Sequence, residues 1–509
     1  MIDRSWIPQR TESRDDAAAL REIDRVIEAG PYSPSWESLK GYRPARWFGE
    51  SKFGIFIHWG VYSVPAFADE WYSRNMYRQD RPEFAHHRER YGDQADFGYK
   101  DFIPEFTMNS FDPVAWATLF RRAGAQYVVP VAEHHDGFAM YASERSRWTV
   151  SHMGPKRDVF GELAVAVREQ SLVVGGSSHR AEHWFFMNGG MRFDSDVRDP
   201  AYSDFYGPAQ REETSPSDAY LDDWLLRTVE FIDLHRPQLL WFDWWIETPA
   251  FEPYLRRLAA YYYNRAAEWG IEVVINYKWD AFATGSAVYD IERGAMGEAQ
   301  PFVWQNDTAV SRSSWCWTEG HHYKPIPELI GELLDVVSKN GNLLLNIGPK
   351  PDGTIAAPEV AILESIGDWL AVNGEAVYGT VPYRVPGEGP TQVKAGSMID
   401  GDQSSLTADD FRFTVRNDFT GCYLYASTTG WPASNSVTLT TLGLRHQVET
   451  RIIAEVRLLG LETPLEWRRE ADGLHVSLPS IRTHEHGYSI RISFHPDEAP
   501  RRVDFLHQN

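Results

Sequence analysis

Six short apolar runs, each ending in polar or aromatic residues, limit most strongly how this 509-residue chain can fold. They are FGIFIHW (53–59), YVVPVAEHH (127–135), LVVGGSSH (172–179), QLLWFDW (238–244), VVINYKW (273–279) and NLLLNIG (342–348). Each is continuously apolar rather than alternating, as strands buried on both faces of a parallel sheet require. Between them lie helical patterns with readable starts. Asp112-Pro113 opens one that runs to about Gly124, with proline at the first helical position, and others begin near Asp158, Ser217, Glu252, Pro327 and Pro358. Strand–helix units repeated over about 330 residues predict an α/β fold, a TIM-like (β/α) barrel of irregular form. A doubly wound open sheet is the competing architecture, but no G-x-G-x-x-G turn opens one.

The pattern differs at both ends. Residues 13–30 read as an amphipathic helix ended by Gly30, so 1–34 form a helical extension ahead of a barrel over 35–382. From about residue 385, period-two segments such as RFTVRND (412–418), CYLYAST (422–428), EVRLL (455–459), LHVSLP (474–479) and YSIRISF (488–494) predict an antiparallel β-sandwich over 383–509. The boundary falls where Gly and Pro cluster, between Gly379 and Gly389.

Composition narrows the partners. Fifty Lys and Arg against seventy-two Asp and Glu give a net charge of −22, which argues against nucleic acid, because phosphate binding needs a basic footprint. Twenty Trp and 24 Tyr supply aromatic faces of the kind that grip sugars, although most such rings serve a core. Cys316 and Cys422 are too few for a disulfide framework and are expected as buried thiols. The N-terminal stretch has no apolar signal region and no apolar run reaches roughly 18 residues, so a cytoplasmic protein without membrane contact is expected.

The chemistry gathers where the apolar runs end: His58-Trp59, Glu133-His134-His135-Asp136, His179, Asp243-Trp244-Trp245 and Lys278-Trp279. In a barrel these C-terminal strand ends converge on one mouth, where active sites sit. Asp243, after four apolar positions and before two Trp, is either a carboxylate satisfied by a neighbouring Arg or by backbone amides, or a nucleophile at a sugar site. A retaining glycosidase needs a second carboxyl roughly 5–5.5 Å away. Asp290, Glu292 and Glu298 are the candidates, and Glu292 is preferred because it directly follows the strand-like AVYDI. His134 and His135, adjacent on a strand, point to opposite faces and so seldom share an ion. No zinc-like third ligand and no H-E-x-x-H are present, so no metal and no cofactor are expected. These imidazoles are read as binding sugar hydroxyls, with a place in the core as the alternative.

The blocks KFGIFIHWGVYSVPAFADEWY (52–72), AGAQYVVPVAEHHDGF (123–138), LLWFDW (239–244), NGNLLLNIGPKPDGTI (340–355) and NGEAVYGT (373–380) resemble, in order, the α-L-fucosidases of glycoside hydrolase family 29. The resemblance spans about residues 35–380. It implies an irregular (β/α) barrel followed by a β-sandwich, and a retaining, metal-independent exo-glycosidase acting on fucosylated oligosaccharides. It also implies roles: Asp243 as the nucleophile, and His58, Glu70, Trp71, His134 and His135 lining the sugar pocket with Trp315 as a wall. His179 is assigned to the same pocket. This sequence departs from the family in four places. Glu133 stands where Lys is common, His179 for Tyr, Lys278 for Arg, and D-I-E-R-G replaces D-x-x-T-P-E around the acid/base. Those departures keep two alternatives open, an L-galacto or L-gluco glycoside as substrate and a carbohydrate-binding protein without activity. The sandwich is read as a brace for the barrel rather than a binding module.

Overall fold

The computed structural model describes residues 3–9, 15–402, 404–418 and 421–495. Eight parallel strands close into a barrel in chain order. They are β1 (Phe53–Ile57), β2 (Tyr127–Glu133), β3 (Val173–Ser178), β4 (Leu239–Phe242), β5 (Val274–Tyr277), β6 (Val288–Glu292), β7 (Trp304–Ala309) and β8 (Gly341–Ile347). β8 returns to β1 with Ile55 opposite Leu345, so the open sheet is excluded and no strand edge is exposed.

The six apolar runs form β1 to β5 and β8. β7, WQNDTA, escapes a search for apolar runs because four of its six residues are polar, yet every one is buried. Most of its polar side chains are hydrogen-bonded instead. Gln305 accepts from the Tyr127 hydroxyl at 2.9 Å and donates to Asp290 at 2.6 Å, and Thr308 accepts from Lys324 at 2.8 Å. β6 is held to β5 by only two residue pairs, Asn276–Val288 and Tyr277–Tyr289.

Helices Pro113–Arg122, Val159–Glu169, Asp218–His235, Glu252–Trp269, Ile326–Ser338 and Ala357–Asn373 are the long ones between and after the strands. Three of the six predicted starts are side-chain caps: Asp112 accepts from the amides of Val114 and Ala115, Asp158 from Gly161, and Ser217 from Tyr220, whereas the helices at Glu252, Ile326 and Ala357 begin with proline in the first turn and no capping side chain. The barrel lumen is filled by Phe56, Tyr127, Val129, Leu239, Trp241 and Leu344, and a larger apolar layer joins the barrel to its helices.

Helix Asp16–Ala29 puts Ile23, Val26 and Ile27 into that layer. Gly30 lets it dock closely, since a Cβ there would lie 2.1 Å from Cγ of Asn264, whose amide bonds Ile27 and Tyr32. Among the described residues no helix is long and apolar enough to cross a membrane.

Past the barrel, β9 (Val381–Glu388) runs through position 382 and pairs antiparallel with β10 (Phe411–Asp418), so the strand system of the second domain starts at Val381. With β11 (Gly421–Thr428), β13 (Ile453–Leu458) and β16 (Tyr488–Phe494) they form a five-stranded sheet ordered β13-β16-β11-β10-β9. A second sheet contains β12 (Ser436–Leu439), β15 (Leu474–Ser477) and β14 (Trp467–Arg469), in that order. The inward residues Phe413, Leu424, Val456, Leu474, Ile490 and Ile492 form one buried cluster. Cys316 and Cys422 are unpaired and buried, as their number suggested.

Candidate active site

The C-terminal strand ends meet at one barrel mouth, and the backbone there is forced to turn sharply. Trp245, Trp279 and Arg293 follow the ends of β4, β5 and β6 and all take left-handed conformations (φ 73°, 57° and 44°). Non-glycine residues hold such angles only where the surroundings over-determine them, and such residues cluster at active sites. Each sits one or two positions after a charged side chain: Asp243, Lys278 and Glu292.

Those three side chains meet. The Lys278 ammonium, 4% exposed, touches Glu292 Oε2 directly and lies 3.4 Å from Asp243 Oδ1 and 3.8 Å from Asp307 Oδ2. It packs 4.6 Å over the Trp241 ring. Because one ammonium bridges both, the Asp243 and Glu292 carboxylates lie within about 6 Å of each other, compatible with the roughly 5–5.5 Å of a retaining glycosidase pair. Glu298, the alternative to Glu292, is exposed on the following loop, and Asp290 is buried behind the site, bonded to Gln305.

Asp243 is held on both oxygens. Oδ1 accepts from the Trp244 amide at 2.8 Å, and Oδ2 accepts from His179 Nδ1 at 2.8 Å with His135 Nε2 3.6 Å away. Burial alone would raise its pKa, but Lys278 and the His179 hydrogen bond outweigh burial and hold the carboxyl well below the usual range. It is therefore an ionised carboxylate, 8% exposed, at the floor of the mouth. The carboxylate is satisfied by an imidazole, an ammonium and one backbone amide rather than by an Arg, and it lies at the mouth.

The histidines divide by what their nitrogens do. His58 donates from Nδ1 to Asn346 Oδ1 at 2.7 Å, which leaves Nε2 as an acceptor. His134 Nδ1 is buried without a hydrogen-bond partner. His135 donates from Nδ1 to the His179 carbonyl at 3.1 Å. Burial, followed by neighbouring charges, pushes all three well below the ordinary histidine value, His135 to about 3, so they are neutral at physiological pH.

His179 differs: Nδ1 is used by Asp243 and Nε2 accepts from Ser177 Oγ at 3.0 Å. It orients the carboxylate from below rather than offering a nitrogen to a sugar. Two triads, His58/His134/His179 and His135/His179/Asp243, bring ligand-type atoms within 4.8 Å. His134 and His135 fall in different triads, but they follow the end of β2 in a turn and their rings lie 4.2 Å apart, so they do not point to opposite faces as an extended strand would place them. Both triads depend on His179, whose lone pair is already engaged.

Aromatic rings wall the mouth. Trp71 stacks on Trp244 at 6.3 Å, and the Trp315 ring lies 5.2 Å from His58. Glu70 accepts from the Trp315 amide at 3.0 Å, fixing that wall to the β1 side, and burial followed by Asp69 raises its pKa to about 8. Glu133 turns away from the mouth into an ion-pair cage with Arg180 and Arg227, so this departure from the family pattern lies outside the pocket. The register between β2 and β3 slips after Val131, a bulge that sets the direction of the double histidine just beyond it.

Sequence reasoning missed Glu182, Asn346 and Asp307. Glu182 lies 3.2 Å from His135 Nδ1 and is pushed well above the carboxylate range, by burial first and the Asp243 charge next. Its signal was present in SHRAEHW, an acid between two histidines just past a strand end.

Comparison with known proteins identifies the family and the fold. A family model described as alpha-L-fucosidase matches residues 19–375, and one described as the alpha-L-fucosidase C-terminal domain matches 403–493. The human plasma alpha-L-fucosidase is 31% identical over 471 residues, covering 89% of this chain and 90% of that protein. Human tissue alpha-L-fucosidase is 30% identical over 472 residues, 91% of each. The solved structure of Thermotoga maritima alpha-fucosidase with a mechanism-based inhibitor superposes with a TM-score of 0.72 at 29% identity, covering 91% of this chain and 100% of that one. With its whole barrel matched, the chain belongs to the α-L-fucosidase family, glycoside hydrolase family 29.

Proposed function

We propose that this protein removes terminal α-L-fucose from fucosylated glycosides with retention of configuration, using Asp243 as nucleophile and Glu292 as acid/base. The observation that carries the reading is the pair of carboxylates bridged by Lys278 at the barrel mouth. Asp243, ionised and oriented by His179, attacks the anomeric carbon as Glu292 gives its proton to the leaving oxygen. The glycosidic bond breaks and a glycosyl ester forms on Asp243. Glu292, now a carboxylate, takes a proton from water, whose oxygen replaces Asp243 at the same carbon. Two inversions give net retention. The free Nε2 of His58, with His134 and His135, receives sugar hydroxyl protons, and Trp71 and Trp315 close the sides.

Fucose as the sugar is supported by family membership and by the Thermotoga maritima relative, whose structure was solved in complex with fucose. The test is Asp243→Gly. Turnover of an aryl α-L-fucoside should fall by roughly 10⁴-fold or more, and azide should restore it by forming the inverted β-fucosyl azide. A 2-fluoro-fucosyl fluoride should label Asp243 in the unaltered enzyme. Retained activity in Asp243→Gly overturns the nucleophile, and faster turnover of an α-L-galactoside than of the α-L-fucoside overturns the sugar.

A further inference from the structure

We propose that the β9–β10 connection of the C-terminal domain positions the acid/base, by gripping the backbone of Glu292 and Arg293 and, through Asp400, the Trp315 wall. The inference rests on the reading of Glu292 as acid/base. β6 needs such support because its pairing to β5 is so short. Beyond its end the chain is held by residues about a hundred positions later. The Glu292 carbonyl accepts from the Met398 amide at 2.8 Å and from Ser397 Oγ at 3.0 Å. The Arg293 carbonyl accepts from the amides of Ile399 and Asp400 at 2.8 and 3.0 Å, and Ala295 and Gly396 exchange two hydrogen bonds of 3.0 Å each. The two segments approach so closely that a Cβ on Gly294 would lie 2.0 Å from the Gly396 carbonyl oxygen.

The grip extends to side chains. Arg293, left-handed in φ, donates to Asp400 Oδ2 at 3.0 Å and to the Ser311 carbonyl at 3.2 Å, and its guanidinium stacks 4.4 Å over the Trp315 ring. Asp400 also holds Lys324 at 2.9 Å, and that ammonium reaches Thr308 on β7. One carboxylate of the second domain therefore ties together the residue after the acid/base, the aromatic wall and the neighbouring strand. Residues 396–400 lie between the ranges matched by the two family models. Asp400 and Arg293 touch no reacting atom and are positioning residues.

The test separates positioning from general stabilisation by leaving-group dependence. Asp400→Ala, Asp400→Glu and the milder Ser397→Ala are compared with Glu292→Gln on an alkyl α-L-fucoside, whose departure needs a proton, and on α-L-fucosyl fluoride, whose departure needs little help. Asp400→Ala should lose about 30-fold in kcat/KM on the alkyl fucoside, part of the roughly 10²–10⁴-fold contributed by a general acid, and less than about 3-fold on the fluoride. Asp400→Glu should recover most of that loss, and Ser397→Ala should show the same selectivity more weakly. Equal losses on both substrates, or none, in Asp400→Ala overturn the proposal. If Asp400→Ala does not fold, absence of selectivity in Ser397→Ala overturns it. If Glu292→Gln itself lacks leaving-group dependence, the acid/base reading fails and the proposal with it, whereas selectivity in Glu292→Gln alone refutes only the grip.

Discussion

At the residue scale the site turns on a lysine shared among three carboxylates. Removing one partner of a buried ionic cluster leaves the others uncompensated, at about 3–5 kcal/mol. Lys278→Met strands Asp243, Glu292 and Asp307 in this way. We expect kcat/KM on an aryl fucoside to fall at least about 100-fold, roughly 3 kcal/mol of transition-state stabilisation. Lys278→Arg, which keeps the charge and restores the residue usual in the family, should keep more than about a tenth of the activity. Steady-state kinetics on the three proteins decide this, and undiminished activity in Lys278→Met would show that the ammonium is dispensable. The departures at His179 and Lys278, which raised the question of a different sugar, lie against Asp243 itself. They act on Asp243 directly rather than on a sugar's outer hydroxyls.

At the scale of elements, β7 carries the clearest prediction. Gln305→Leu keeps the volume but removes the donor to Asp290 and the acceptor for Tyr127, leaving two buried polar groups without partners. At about 1–3 kcal/mol for each unsatisfied group, unfolding by denaturant should show a loss of about 2–6 kcal/mol, and a loss within error of zero would mean that β7 does not depend on this link. The same strand marks what the sequence could and could not reveal. Continuous apolar runs gave away β1 to β5 and β8, because strands covered on both faces by apolar layers must be apolar. β7 lies where the barrel lumen is polar, so hydrogen bonds replaced the hydrophobic signal. β9, β12 and β14 were hidden for another reason: β12 and β14 are only four and three residues long, and β9 lies in the Gly- and Pro-rich stretch that reads as a linker. Asp243 and the double histidine were legible because charge inside an apolar run is costly. The contact of Glu292 with Lys278 depends on side chains from different strands meeting in space, which linear spacing does not encode.

For the whole molecule, buried titratable groups in the barrel set how stability responds to pH. His135 and His183 are pushed down to about 3, and His87 and His321 to about 4, in each case chiefly by burial. The unfolded chain binds a proton at each below about pH 6.5 while the folded chain does not, so acidification costs stability from there down to about pH 3–4. Glu70 and Glu359 are raised to about 8 and Asp136 to about 7, again chiefly by burial. These keep a proton in the folded state that the unfolded chain releases above about pH 4–4.5, so stability falls as pH rises towards 7–8. Each group contributes up to about 1.4 kcal/mol per pH unit inside its window. The four histidines and three acids oppose each other between about pH 4.5 and 6.5, and between there and about pH 8 only the acids act, before Lys52, lowered by burial to about 8, begins to oppose them. Unfolding free energy should therefore peak near pH 6.5 and decline on both sides, as followed by tryptophan fluorescence in denaturant from pH 4 to 9. Glu359 sits on helix Ala357–Asn373 and accepts from the amide of Gly348, just past the end of β8, at 3.4 Å. Glu359→Gln should flatten the alkaline limb by about 1.4 kcal/mol per pH unit and leave the acid limb below pH 4 unchanged. An unaltered alkaline limb in that variant would show that Glu359 ionises normally in the folded barrel.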